Sequence, residues 1–331
     1  MASSTSHSDT RLPRWALQLA AVAVATWAVC AGYTLRLNPE IQFYRSGHWK
    51  KQQWMTRLRA DYRTNILIFG GSSCATSIQG SRLVAQHDLP VANLGLGAGM
   101  GTPVLTHYAL DALQPGDTLI VALEQGMLIN PVEMEPMGVQ FALAIGQPAL
   151  ARREGRIDWP AALIDLRPGG YHAFTLLGKF LFRQPLYRYV PADFKSDGWQ
   201  EVNDRRPFDV PALAASKPAP SILAWLAGVR DECARRQARI ALTIPWQYCA
   251  PEDRVATQRI NLIFLRELCA VLPVLREASF GTHSIREHFG DTLVHTTPEG
   301  AALRTDEFAA AIKAWNLWTI AELDATLASW Q

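Results

Sequence analysis

Four short apolar runs in this sequence lack the alternation of a half-exposed strand: "NILIF" at 65–69, "VANLGLG" at 91–97, "DTLIVAL" at 117–123 and "RIALTIPW" at 239–246. A strand with one face in water alternates with a period of two, so an unbroken apolar run of this length marks a strand covered on both faces. Helical patterns fill the gaps, from about Ser81 to His87, Pro103 to Leu113 and Ile222 to Gln237. Buried strands alternating with helices predict an α/β domain whose parallel sheet lies between helical layers. The rhythm lapses between residues 130 and 220, where apolar helical pieces ("FALAIGQPALARR", "YHAFTLLGKFLF") precede a polar loop holding Asp197 and Trp199. We read this stretch as an insertion over the carboxyl edge of the sheet, where such folds build specificity. After Pro298 an amphipathic helix closes the domain.

Ahead of the domain, Trp15 to Leu35 carries no charge. As a helix this run of about 21 residues is about 31 Å long, enough to cross a hydrocarbon core. A signal peptide has a shorter apolar stretch, although Val29-Cys30-Ala31 resembles a cleavage site and Cys30 a weak lipid-attachment cysteine. Length favours an uncleaved anchor at 15–35, after a polar tail at 1–14. Arginines and lysines lie on both sides of the run, so charge bias does not orient it. The expected topology is single-pass with the bulk of the chain outside the cytoplasm. Residues 36–64, rich in Trp, Tyr, Lys and Arg, are expected to form a membrane-proximal helix that lifts a domain of 65–331 off the bilayer, with Trp49 and Trp54 interfacial or packed.

A formal charge of +2 excludes a strongly basic nucleic-acid surface as the main business of the chain. There is no Gly-x-Gly-x-x-Gly after a strand, no P-loop and no visible repeat, so no nucleotide cofactor is expected. The five cysteines form no C-x-x-C pair, which argues against a zinc site or any metal. One bridge among Cys233, Cys249 and Cys269 is compatible with an oxidising compartment.

The chemistry-bearing types cluster where strands end. Gly70-Gly71-Ser72-Ser73 follows the first run, placing Ser72 at a strand-to-helix turn under the bare N–H groups of the next helix. Such a serine can attack an acyl carbonyl, or the turn can be plain architecture. "NLGLGAGMG" ends the second run with glycines that permit close backbone approach. Near the far end, "GDTLVHTTPEG" carries His295, a natural base for a serine, with Asp291 nearby to fix its tautomer. His283 and His288 are rival bases. Trp246, Gln247 and Tyr248 end the fourth run on the expected site edge, where Trp246, Tyr248 and, from the insertion, Trp199 are candidates to stack on sugar rings.

Strand–Gly-x-Ser, Asn-x-Gly after the second strand and a terminal Asp–His pair together resemble the SGNH (GDSL-type) hydrolase superfamily. The blocks "NILIFGGSS", "VANLGLGAGMG", "LQPGDTLIVALE" and "DTLVHTTPEGAALRT" are similar to its membrane-anchored branch, which includes alginate and cellulose O-acetylation proteins and the teichoic acid D-alanylation protein. The resemblance implies a three-layer α/β/α, flavodoxin-like fold after one transmembrane helix. It implies Ser72 as nucleophile, with Ser73 the less fitting neighbour, His295 as base and Asp291 as its orienting acid. The Ser72 amide with Gly97 or Gly99 would form the oxyanion hole. In two places the chain departs from the pattern. Asp291 lies four residues before the histidine, where the superfamily has Asp-x-x-His. The third block reads "ALEQGMLIN" and lacks the usual Asn donor, leaving Gln125 or Asn130 in its place, with Glu124 expected to pair with a turn N–H.

The function implied is serine-dependent O-acyl transfer at the periplasmic face of a bacterial inner membrane. The acceptor would be an exopolysaccharide, cellulose- or alginate-like, and the acyl donor would come from a membrane-bound O-acyltransferase. No cofactor is implied. An esterase deacylating a polysaccharide or lipid, and a non-catalytic partner of that acyltransferase, are the alternatives.

Overall fold

Alternate residues of the central strands feed two separate apolar cores. Leu67, Phe69, Leu119, Val121 and Leu242 enter one, with Phe43, Val104, Leu105, Ile222, Leu226 and Leu262. Ile68, Ile120 and Ala241 enter the other, with Cys74, Ile78, Leu83, Phe308 and Ile312. The period of two along a strand therefore serves both faces, which is why the sequence runs show no polar alternation.

The computed structural model describes residues 14–153, 155–166, 170–210 and 217–330; the expected tail at 1–14 lies outside them except for Arg14. Strands β1 (Ile66–Gly70), β2 (Val91–Asn93) and β3 (Thr118–Ala122) sit in a six-stranded sheet. Its order is Leu317–Trp318, Val274–Leu275, Arg239–Leu242, β3, β1, β2. All pairs are parallel except the antiparallel edge strand at 317–318. The register matches Ile66 with Val91 on one side and with Thr118 on the other, so strand order reverses at β1. Helices α1 (Arg14–Arg36), α2 (Pro39–Asp61), α3 (Ser72–Ser77), α4 (Gly80–His87) and α5 (Gly101–Ala112) precede those of the insertion and the closing helix Pro298–Ala314.

Three expectations change. The fourth run forms a strand only to Leu242, because Pro245 has no N–H to give a ladder. The second run is a strand only over its first three residues, and its glycines leave the sheet. Residues 36–64 are not a stalk: α2 buries Ile41, Phe43, Tyr44, Gly47, His48, Lys51 and Leu58 as part of the domain. Trp54 is packed with its indole N–H on the Val91 carbonyl, whereas Trp49 is exposed. All five cysteines are free, so none of the pairings that the sequence left open among Cys233, Cys249 and Cys269 is formed.

α1 is 23 residues long and contains an 18-residue window with a mean hydropathy of 1.6, long and apolar enough to be a membrane span or a signal sequence. Its Trp15, Leu19, Val22 and Val29 are exposed.

Lys51 clamps α2 to the insertion. Its ammonium donates to the Asn93 carbonyl at 2.9 Å and the Gly198 carbonyl at 2.5 Å while fully buried. Burial lowers its pKa to about 8. The folded value lies below the ordinary value of about 10.4, so between the two the unfolded chain binds more protons and stability rises with pH. Denaturant titrations from pH 8 to 10.5 should show wild type gaining on the order of 3 kcal/mol relative to Lys51→Met. Parallel curves for the two proteins would refute this.

Candidate functional site

The reversal of strand order at β1 opens a crevice at the carboxyl ends of β1 and β3, the place where open α/β sheets bind ligands. Two chain turns meet there. β1 ends at Gly70 and α3 starts at Ser72; β3 ends at Ala122 and is followed by Glu124. The glycines are required by space: a Cβ on Gly70 would lie 1.9 Å from the Ala122 carbonyl oxygen, and one on Gly71 2.6 Å from Glu124 Oε1. That closeness lets Glu124 reach across. Its Oε1 accepts from the Ser73 amide at 2.8 Å and from the Ser72 hydroxyl at 3.1 Å. The turn N–H partner expected for Glu124 is thus present, and the bond to Ser72 is an addition that sequence reading missed.

Asn93, at the end of β2, fastens α3 from below. Its amide donates to the Cys74 and Ile78 carbonyls at 2.9 and 2.8 Å, and its oxygen accepts from Gly95 N–H at 2.9 Å. The loop then brings buried Gly97 against the phenol of Tyr44, where a Cβ would meet the hydroxyl at 2.2 Å. Gly99 is exposed. The amides of Ser72, Gly97 and Gly99 make no hydrogen bond among the described residues. Gln125 is half-buried and opens the short helix Gln125–Ile129, while Asn130 spends its side-chain N–H on the Gly126 carbonyl.

The Asp–His block folds into a closed turn. Gly290 N–H donates to the His295 carbonyl at 2.7 Å, and Thr292 Oγ1 accepts from His295 N–H at 3.1 Å. This Thr292 turn absorbs the extra residue of the spacing and brings Asp291 Oδ1 to 2.8 Å from His295 Nδ1. A carboxylate there fixes the proton on Nδ1 and leaves Nε2 as an acceptor. Nε2 has no hydrogen bond among the described residues. Burial would raise the Asp291 carboxyl, but His295, Tyr189 and Arg188 outweigh it and hold it below the usual value. Tyr189 donates to Asp291 Oδ2 at 2.6 Å and lies 3.2 Å from His295 Nδ1; Arg188 pairs with the same Oδ2 at 2.8 Å. Burial, then the bond to Asp291, raises the Tyr189 phenol far above its ordinary value, so it stays a donor.

Ser72 and His295 lie on neighbouring elements but are not hydrogen-bonded to each other among the described residues. Thr296, next to the histidine, donates to the Thr76 carbonyl at 3.0 Å, one turn along the helix that Ser72 begins. The rise from Ser72 to Thr76 is about 6 Å. A second path runs through rings: Tyr44 beside Gly97, the Tyr187 hydroxyl 3.5 Å from that of Tyr44, and Tyr187 5.7 Å from Tyr189, ring to ring. A cleft of about 280 Å³ adjoins Glu124, lined by Ala98, Gly101, Met127, Asn130 and the exposed carboxylates of Glu133 and Glu135. Larger hollows of about 690 and 490 Å³ lie against α5, at Tyr108 and at Trp225, and hold none of these residues.

The rival histidines pair with each other, His283 Nε2 lying 2.7 Å from His288 Nδ1, and His283 stacks on Trp246 at 4.1 Å. Burial, then His288, lowers the His283 pKa to about 4. The aromatic candidates are packed. Trp246 is buried with its N–H on Glu307 at 2.7 Å, and Trp199 is buried with its N–H on the Thr76 carbonyl at 2.6 Å. Half-buried Tyr248 lies edge-on to Phe208 and Phe289. Asp197 caps α4 through the Ser81 N–H. No group of three or more potential metal ligands occurs among the described residues. No family model, curated protein or solved structure matches this chain.

Proposed function

We propose that the chain is a membrane-anchored, extracytoplasmic O-acyltransferase of SGNH type that acetylates a polysaccharide through an acyl ester on Ser72. The observation that carries the reading is the Asp291–His295 pair, with Nε2 free to accept, bonded through Thr296 to the helix that Ser72 opens. The strand order 2-1-3 continuing outward, the flavodoxin-like order, supports the fold assignment. In the proposed reaction Ser72 turns one rotamer away from Glu124 toward His295. Its oxygen bonds to the acyl carbon as Nε2 takes its proton, and the donor's leaving group departs with that proton. A sugar hydroxyl, deprotonated by the same nitrogen, then bonds to the acyl carbon, and the ester bond to Ser72 breaks as its oxygen takes the proton back from Nε2. The amides of Ser72 and Gly97 face the developing oxyanion. The carboxylates beside the cleft are acceptors for sugar hydroxyls. The location is the periplasmic face of the inner membrane, with the donor delivered by a membrane-bound O-acyltransferase.

The test is mass spectrometry of the full chain after exposure to a chromogenic acetyl ester: an acetyl adduct on the Ser72 peptide supports the reading. Faster turnover with an added oligosaccharide marks transfer, and unchanged turnover marks an esterase. The Ser72–Glu124 hydrogen bond favours a second reading, a non-catalytic partner in which the serine is only a turn residue; absence of any adduct would select it.

Tyr189→Phe separates positioning from packing. It removes a hydrogen bond to a charged acceptor, worth about 1.5–3 kcal/mol, so kcat should fall roughly ten- to a hundredfold. KM for the ester should stay within about twofold, because Tyr189 touches Asp291 and not the cleft. A purely structural Tyr189 would instead lower the melting temperature and leave kcat in place.

A further inference from the structure

The insertion carries an apolar face that none of the described residues covers. Trp159, Leu163 and Ile164 are exposed on the helix Trp159–Asp165. Phe174, Leu177, Phe180 and Leu181 are exposed on Gly170–Leu181, and Phe182 just beyond it, with Phe174 and Phe182 each 78% accessible. The sequence from 159 to 182 has only Asp165, Arg167 and Lys179 as charges. An apolar surface of this extent on a soluble protein marks an interaction site.

Its neighbour says with what. The indole N–H of Trp27, halfway along α1, donates to the Leu163 carbonyl at 2.8 Å. Below that contact, Arg14 to Trp27 rises only about 20 Å, whereas the hydrocarbon core is about 30 Å thick. For α1 to span, the level of Trp27 must itself lie within the apolar layer, and Leu163 with it. We infer that the helices Trp159–Asp165 and Gly170–Leu181 sit in the outer leaflet beside α1, their exposed aromatic and aliphatic side chains in contact with lipid. This rests on the reading of α1 as a retained anchor. Tyr189 follows Phe182 by seven residues, at most about 25 Å of chain. These helices therefore hold the Asp291–His295 pair close to the bilayer surface, where an acyl donor leaving a membrane enzyme would first arrive.

The full chain, in vesicles of phosphatidylethanolamine and phosphatidylglycerol, is spin-labelled at Phe174→Cys or Phe180→Cys, with Cys30→Ser and Cys269→Ser to remove the partly accessible thiols. Val22→Cys on α1 and Val255→Cys on the helix Arg254–Cys269, both exposed sites, are the references. These positions are exposed, and thermal melts verify that each variant folds. The expected result is oxygen accessibility with exclusion of a nickel chelate at 174 and 180, as at 22. Nickel accessibility equal to that at 255 would overturn the inference and leave the face for a protein partner. Loss of the lipid signature at 22 would instead overturn the anchor.

Discussion

Ser72→Ala should abolish the acetyl adduct and lower turnover of a chromogenic acetyl ester by about 10⁴-fold or more, the scale on which triad members act. His295→Ala should cost a similar factor, and the double variant no more than either single one, because the two groups would act as one unit. Glu124 makes this informative. It is the group that Ser72 touches, so a reader of the hydrogen bonds alone would name Glu124 the base. Glu124→Gln keeps an oxygen for the Ser73 amide and the Ser72 hydroxyl but removes the carboxylate. If His295 is the base, this substitution should cost less than about tenfold. If Glu124→Gln matches Ser72→Ala while His295→Ala leaves the rate intact, the roles assigned to His295 and Asp291 are wrong. Wild-type turnover in Ser72→Ala would end the covalent mechanism altogether.

The second large effect is on stability. Arg304 is 1% exposed, on the helix that follows His295. Its guanidinium bonds Glu277 at 2.7 and 3.1 Å, Glu307 at 3.1 Å and Thr243 at 2.7 Å. Arg304→Met keeps the apolar stem and leaves Glu277 buried without its cation, which should destabilise the protein by about 3–5 kcal/mol. Burial already raises the Glu277 carboxyl, so without Arg304 it would take up a proton, and the loss should be smaller at pH 5 than at pH 8. Arg304→Met with Glu277→Leu should recover part of the loss, since the pair is then removed together. Denaturant unfolding at the two pH values checks this. A single variant as stable as wild type would mean that the network contributes nothing.

The sheet was legible in the sequence because strands buried on both faces have no choice but to be apolar throughout. β1 and β3 read correctly to within a residue for that reason. The two-residue strands at 274–275 and 317–318 left no such trace, being too short for any pattern. Ser72, Asp291 and His295 were legible because glycine turns and a lone Asp–His pair stand out at strand ends. Tyr189 and Arg188 were not. They come from an insertion with no periodicity, and only folding brings them to Asp291. The aromatic candidates erred in the opposite sense: Trp199 and Trp246 looked free to stack on a sugar, but each indole N–H had an acceptor inside the domain, the Thr76 carbonyl and the part-buried Glu307 carboxylate. α2 was misjudged because a helix with seven Lys, Arg, Asp and Glu side chains reads as exposed, although its Lys51 is satisfied by two carbonyls inside the domain.

Ser72 and His295 are 223 positions apart in the sequence (295 − 72), on either side of the whole insertion. During synthesis the turn that holds Ser72 emerges long before the block that holds Asp291 and His295. A nascent chain that stops within the insertion therefore displays a turn and a helix start but neither Thr296 nor the imidazole beside it, and the bond from Thr296 to the Thr76 carbonyl can close only after the insertion has been made.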